Sequence, residues 1–234
     1  MPAGDPNAMG RAMQLILCRA AWITTHIMQV EIYPDLAAFC GRADYQQWLS
    51  QWQPPAGVEL WLDHEQQPAA AMTPRQKELT RRATRLPFYF LDSLEIGGRA
   101  CVDIGCGHNW FPQFYPTVWG VDPGHEQHRD AELTPAWWWH NRHRWPRALA
   151  INSLHFCPQQ EVTGQVSLVL SLLEPGGRAM VALNRTRIQE HTPDYQAELM
   201  RDQLSQTPGL TRMVWVDSPR DAFMDGNVWL WLRA

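Results

Sequence analysis

The spacing of apolar and polar residues changes several times along the chain, and each change marks an element. Ala100 to Ile104 is apolar except for Asp103, as a buried strand would be. A second apolar run, Val118 to Val121, ends in Asp122. Further strands are expected over 148–156, 178–183, 210–216 and 227–232. Between them Val162, Val166, Val169, Leu170 and Leu173 follow a helical repeat, which predicts a helix over 160–173 closed by Gly176 and Gly177. Thr134-Pro135 starts a helix containing Trp137, Trp138, Trp139 and Trp145, and Thr192-Pro193 starts one reaching about residue 204.

Upstream, the pattern predicts a helix from Arg11 to about Ile32 and another from Pro34 through Trp52, stopped by Pro54, Pro55 and Gly57. Val58 to Leu62 alternates like a short strand, 66–71 reads as a linker, and Thr73-Pro74 opens a basic helix. The expected organisation is a helical N-terminal extension over 1–72 and an α/β domain over 73–234.

The chemistry gathers after the strand at 100–104. Gly105 and Gly107 let the backbone turn tightly and let a ligand approach the main chain. A strand, a glycine turn, a crossover and a second strand ending in an acid make up the arrangement by which open α/β sheets bind an adenosine-type cofactor. The acid takes ribose hydroxyls, and the ligand lies at the carboxyl ends of the strands. A hydride-transferring Rossmann enzyme would want a third glycine at 110, where this chain has Trp110.

Asp103-Ile-Gly-Cys-Gly107 resembles the first motif of the class I S-adenosylmethionine-dependent methyltransferases. Leu173-Glu-Pro-Gly-Gly177 ahead of a strand, and the two closing strands, extend the resemblance over roughly residues 86–234. It implies a Rossmann-like, mostly parallel sheet with a terminal antiparallel hairpin strand, and S-adenosylmethionine as cofactor. By the same resemblance Gly105 and Gly107 would lie against the methionine part of the cofactor. Asp103 would orient the loop or bind the methionine amino group, Asp122 the ribose, and Asp130, in Asp130-Ala-Glu-Leu133, the adenine amino group. Asn152-Ser-Leu-His155 falls where the family places residues beside the transferable methyl group. If the acceptor is a hydroxyl or amine, His155 is the candidate base, because a neutral imidazole accepts a proton near neutral pH.

The chain departs from the family in three places. Asn109 replaces a glycine, although Asn tolerates left-handed backbone. Pro112 and Pro116 cut short the helix after the loop, and residues 123–147 compress a helix, strand and loop into little space. These departures keep a non-catalytic, methyltransferase-like binding module open beside the enzyme reading.

Composition narrows the partners. A formal charge of −4 gives no global attraction to nucleic acid. Locally, the arginines of 75–85 and 142–147 leave RNA open as an alternative to a small-molecule acceptor, and protein is a further alternative. Residues His125, His128, His140 and His143 raise the question of zinc, but no Cys or acid completes a known spacing, so no metal is expected. Five Cys without paired spacing, together with a polar N-terminus unlike a signal peptide, predict reduced thiols and a cytoplasmic protein. No membrane span is expected. The 13 Trp are expected mainly in core or interface.

Overall fold

The structure, a computed structural model, describes residues 28–58, 73–74, 78, 81–82, 84–92, 99–154, 159–184, 188–190, 192–193, 196–217 and 227–234. Its strands are β1 (Gln29–Tyr33), β2 (Cys101–Ile104), β3 (Val118–Asp122), β4 (Ala131–Glu132), β5 (Trp145–Ile151), β6 (Leu173–Asn184), β7 (Arg212–Asp217) and β8 (Asn227–Arg233). They form one sheet in the order β1-β7-β8-β6-β5-β2-β3-β4. Strand β8 runs antiparallel to β6 and β7, and all other neighbours are parallel. This is the Rossmann-like sheet with a terminal hairpin strand that the sequence led us to expect.

Helices cover both faces. On one side lie α1 (Leu36–Cys40), α2 (Ala43–Gln51), α3 (Leu86–Asp92) and α4 (Phe111–Phe114), which bury Phe39, Tyr45, Phe88 and Phe90 against Met180 and Val214. On the other, α6 (Gln159–Leu172) and α7 (Ala197–Ser205) bury Val166, Val169 and Leu204 against Val102, Ile104 and Trp215. The short α5 (Pro135–His140) sits between β4 and β5. With both faces covered, the central strands carry apolar side chains on both sides, and β2 is buried at every position.

The chain runs outward from β2 through β3 to β4, then returns to β5 on the other side of β2. That reversal opens a crevice at the carboxyl ends of β2 and β5, the place where open α/β sheets bind ligands.

Four elements differ from the sequence-based expectation. Residues 29–33 are a strand and not the end of a helix. Val30 and Ile32 alternate with Glu31 and Tyr33, and the free edge of β7 satisfies their backbone. The segment after Pro34 is two helices, not one, broken at Gly41. The tryptophan helix ends at His140, where Asn141 donates to the Trp137 carbonyl at 2.8 Å, so Trp145 belongs to β5. Strand β6 begins at Leu173, with Glu174–Gly177 as an irregularity inside its pairing with β5. Residues 11–27, 59–62 and 66–71 lie outside the described residues. Among the described residues no helix is long and apolar enough to cross a membrane.

Candidate cofactor site

The turn after β2 is built from backbone. Gly105 (φ 70°) and Gly107 (φ 53°) both adopt left-handed conformations. The amides of Gly105 and Cys106 donate to the Val121 carbonyl at 2.7 and 3.2 Å, which locks the loop to β3. Two approaches demand glycine. A Cβ on Gly105 would stand 2.4 Å from Cβ of Ser153, and one on Gly120 would stand 2.0 Å from Oδ1 of Asn109. At Gly107, by contrast, nothing lies within 4 Å of where a Cβ would be, so the loop there faces open space.

Asp122 closes the loop from the end of β3. Its Oδ2 accepts from the Gly107 amide at 3.1 Å, and its Oδ1 accepts from the amides of Gly124 and His125 at 2.7 and 2.9 Å. Burial pushes its pKa up, but the His125, Gly124 and Gly107 amides and the nearby His125 ring outweigh this and hold it below the ordinary carboxylate value. Asp103, buried beside it in β2, behaves oppositely. Burial, followed by the Asp122 charge, raises its pKa to about 7. Cys106, between the two glycines, is pushed up to about 12 by burial and then by Asp103, Asp122 and Asp130, so it stays a thiol.

Asp130 lies close by, an exposed residue with one carboxylate oxygen turned to the protein. Its Oδ2 accepts from the Gly120 amide at 2.7 Å and from Nδ2 of Asn109 at 3.2 Å. Asn109 also donates to the His128 carbonyl at 2.7 Å, at a backbone φ of 51°. The side chain that replaces the family's glycine is therefore a brace between the loop and the β3–β4 crossover. Sequence reasoning saw its conformational tolerance and missed the brace. Gly120, placed where only a glycine clears Asn109, was the available signal.

Asn152 stands at the carboxyl end of β5 with φ 53°, its amide donating to the Ala182 carbonyl at 2.9 Å and its buried Oδ1 without a hydrogen-bond partner among the described residues. The next residue, Ser153, donates to the Ile104 carbonyl at 2.6 Å and ties β5 to the glycine loop. His155 lies outside the described residues.

A cavity of ≈ 580 Å³ opens from this loop. Gly105, Pro123 and Ser153 form its inner wall, and Leu133, Trp138 and Leu168 are among the apolar groups that close it. Trp138 donates to Ser171 Oγ at 3.2 Å, which fixes the indole. At the rim, the Arg142 guanidinium lies 4.9 Å from the centroid of the exposed Trp139 ring. Part of the tryptophan surplus thus lines a pocket.

The histidines group differently from their order in sequence. His108, in the glycine loop, stacks near His125 and His128 at ring distances of 5.8 and 5.3 Å, while His143 faces the Leu173 carbonyl at 3.3 Å. Among the described residues no set of three or more His, Cys, Asp or Glu is gathered to hold a metal ion. The basic segments are partly neutralised. Arg81 and Arg82 each bond Glu78 at 2.8 Å, and Arg147 is buried and donates to the Leu91 carbonyl at 2.8 Å.

No protein-family model matches the chain, and no curated protein matches its sequence. Solved structures do resemble it. A SAM-dependent methyltransferase from Archaeoglobus fulgidus is 12% identical over 76% of this chain and 100% of its own, with a TM-score of 0.49. The N-methyltransferase NodS from Bradyrhizobium japonicum WM9, in complex with S-adenosyl-L-homocysteine, is 14% identical over 74% and 96%, with a TM-score of 0.45. The CurJ carbon methyltransferase is 19% identical over 81% and 69%, with a TM-score of 0.44.

Proposed function

We propose that this chain is an S-adenosylmethionine-dependent methyltransferase acting on a small molecule. One observation supports the reading above others: the glycine turn that Asp122 braces through the Gly107 amide adjoins the ≈ 580 Å³ cavity, which Gly105 of that turn and Pro123, the residue after Asp122, both line. A nucleoside whose ribose hydroxyls reach Asp122 would lay its base against Pro123 and the apolar wall beyond it.

The residues fit such a group. A carboxylate has about four lone-pair sites, so Asp122 retains capacity for hydroxyls besides its three amide bonds. Gly107 leaves the main chain bare for close approach. Asp103, ionised above about pH 7, would attract the ammonium of the methionine part. Asp130 holds Gly120 and Asn109 through Oδ2 alone, so by the same count its carboxylate retains capacity for the adenine amino group. Asn152, with a spare buried acceptor, would orient the acceptor molecule, and His155 is the proposed base. When bound, S-adenosylmethionine supplies a methyl group already activated by its sulfonium. The protein's share is then alignment and exclusion of water, for which the apolar wall around Trp138 is suited.

A small acceptor is favoured over RNA because the net charge is negative and because Arg81, Arg82 and Arg147 are engaged within the fold. The rival reading, a binding module without catalysis, draws on a four-residue α4 and on an Asp122 carboxylate already bonded to three amides.

Titration calorimetry with S-adenosylmethionine and S-adenosylhomocysteine separates them. Asp122→Ala should weaken both by about 10- to 100-fold, the worth of a charge-assisted hydrogen bond. Absence of binding by folded wild-type protein would sink the enzyme reading and leave the module. Turnover left intact by His155→Ala would remove that residue from the mechanism.

A further inference from the structure

We propose that the opposite end of the sheet carries a second binding site, for a small phosphoryl anion. Four arginines stand there in one cross-strand row. Arg147 of β5 pairs in register with Arg178 of β6, Arg178 with Arg233 of β8, and Arg233 with Arg212 of β7. Partners directly across a sheet project to the same face. Arg42, just ahead of α2, approaches from the helical layer on that face. Arg42, Arg178, Arg212 and Arg233 line a cavity of ≈ 240 Å³ together with one carboxylate, Asp44, which accepts from Arg42 and from the Tyr89 hydroxyl, and with the Tyr89 and Trp231 rings.

Counter-charge is short. Glu31 pairs with Arg212, and Asp44 pairs with Arg42 at 2.6 Å. Among the described residues Arg178 and Arg233 have no ion-pair partner. Buried Arg147 donates to the Leu91 carbonyl at 2.8 Å, and its pKa is lowered by burial and then by the neighbouring Arg178 charge. Like charges directly opposite in a sheet destabilise it. The packing needs of the strands do not call for such a row, because apolar stems of other residues would cover the same surface. An anion in the cavity removes the conflict, and guanidinium forks match the oxygens of a phosphoryl group. The cavity is of a size for a phosphate or diphosphate group, with aromatic walls to either side, and not for a polymer track.

This site lies at the amino ends of the parallel strands, whereas the Gly105–Gly107 loop lies at their carboxyl ends. The two are therefore tested independently. Thermal unfolding of the full chain would be followed in inorganic pyrophosphate and in sodium chloride of equal ionic strength. Pyrophosphate should raise the wild-type midpoint by several degrees beyond chloride, and Arg178→Gln/Arg233→Gln should lose that gain. In anion-poor, low-salt buffer Arg178→Gln alone should melt above wild type, since it relieves the repulsion. If the double variant does not unfold cooperatively, Glu31→Gln serves instead. It frees Arg212 and should tighten pyrophosphate several-fold.

No gain over chloride, an equal gain in the double variant, or an unchanged affinity in Glu31→Gln would each overturn the proposal. ADP tests the source of the group: binding tighter than pyrophosphate assigns the phosphate to a nucleotide, and equal binding assigns recognition to the phosphoryl group alone. Displacement of pyrophosphate by S-adenosylhomocysteine, which has no phosphate, would overturn a separate site.

Discussion

At the carboxyl ends of β2 and β3, Asp103, Asp122 and Asp130 share one loop system. At the opposite end of the sheet, toward the amino ends of the parallel strands β5, β6 and β7 and the carboxyl end of antiparallel β8, four arginines share one row. The two charge clusters are handled differently. Backbone amides satisfy the acids: Asp122 takes three and Asp130 takes that of Gly120. Main chain at a strand's carboxyl end turns, and turning frees N–H groups to point at an anion. Among the described residues Asp103 receives no such amide, and its pKa is raised where that of Asp122 is lowered. In the arginine row Glu31 pairs with Arg212, Asp44 pairs with the adjoining Arg42, and among the described residues Arg178 and Arg233 have no ion-pair partner. The fold supplies compensation at one end and withholds it at the other, and an unbalanced end is where a ligand changes stability most.

The largest effect expected is at Asp103. Its folded pKa of about 7 lies above the ordinary value, so the folded state holds a proton that the unfolded state releases. Stability should therefore fall as pH rises from about 4 to about 7, by on the order of 4 kcal/mol across that window. Denaturant unfolding of wild type and Asp103→Asn over that range measures it. The variant should lose the pH dependence and be the more stable of the two at pH 8. Cofactor affinity should run the other way in wild type, strengthening as Asp103 ionises. A flat wild-type stability profile would mean that the carboxylate is better solvated than its burial implies.

Gly120→Ala comes next. Its methyl group would meet Asn109 at 2.0 Å on a buried strand that cannot shift without disturbing β2. Overpacking of this kind costs about 1–3 kcal/mol. Because Asn109 braces the glycine loop, cofactor binding should weaken as well. Gly120→Ala/Asn109→Gly should recover much of the stability, and failure to do so would show that the clash is not with Asn109.

Most of the sheet was legible because its central strands are apolar on both faces and its helices keep a clean 3.6-residue repeat. The turn at Gly105 and Gly107 was legible because glycine reports backbone conformation directly, whereas the three amide bonds by which Asp122 braces that turn were not foreseen. What the sequence hid depends on contacts distant in the chain. Strand β1 exists because β7 offers an edge, and nothing near Val30 says so. Asn109 meets Gly120 and Asp130 only after the crossover folds back. Asp130 accepts from the Gly120 amide at 2.7 Å because the short β3–β4 crossover brings the two together, a bracing bond that its place in the sequence does not announce. The arginine row spans residues 147 to 233 and emerges only from strand register.

The smallest effect expected is at Glu78, and it serves as the control for the arginine row. Hydrogen bonds from Arg81 and then Arg82 lower its pKa to about 2, so these arginines already have a counter-charge. A depressed carboxylate pKa contributes stability that is present above the ordinary value and lost as pH falls toward about 2. The pair is largely solvent-exposed, so screening should reduce that contribution to below about 1 kcal/mol. Glu78→Gln should therefore shift the unfolding midpoint only slightly at pH 7, and in the destabilising direction. It should leave the gain from pyrophosphate unchanged, because Arg81 and Arg82 do not line the amino-end cavity. If freeing these two arginines instead raised the response to pyrophosphate as much as freeing Arg212 does, general positive charge would account for anion binding. The contrast between the two ends of the sheet would then reduce to net charge.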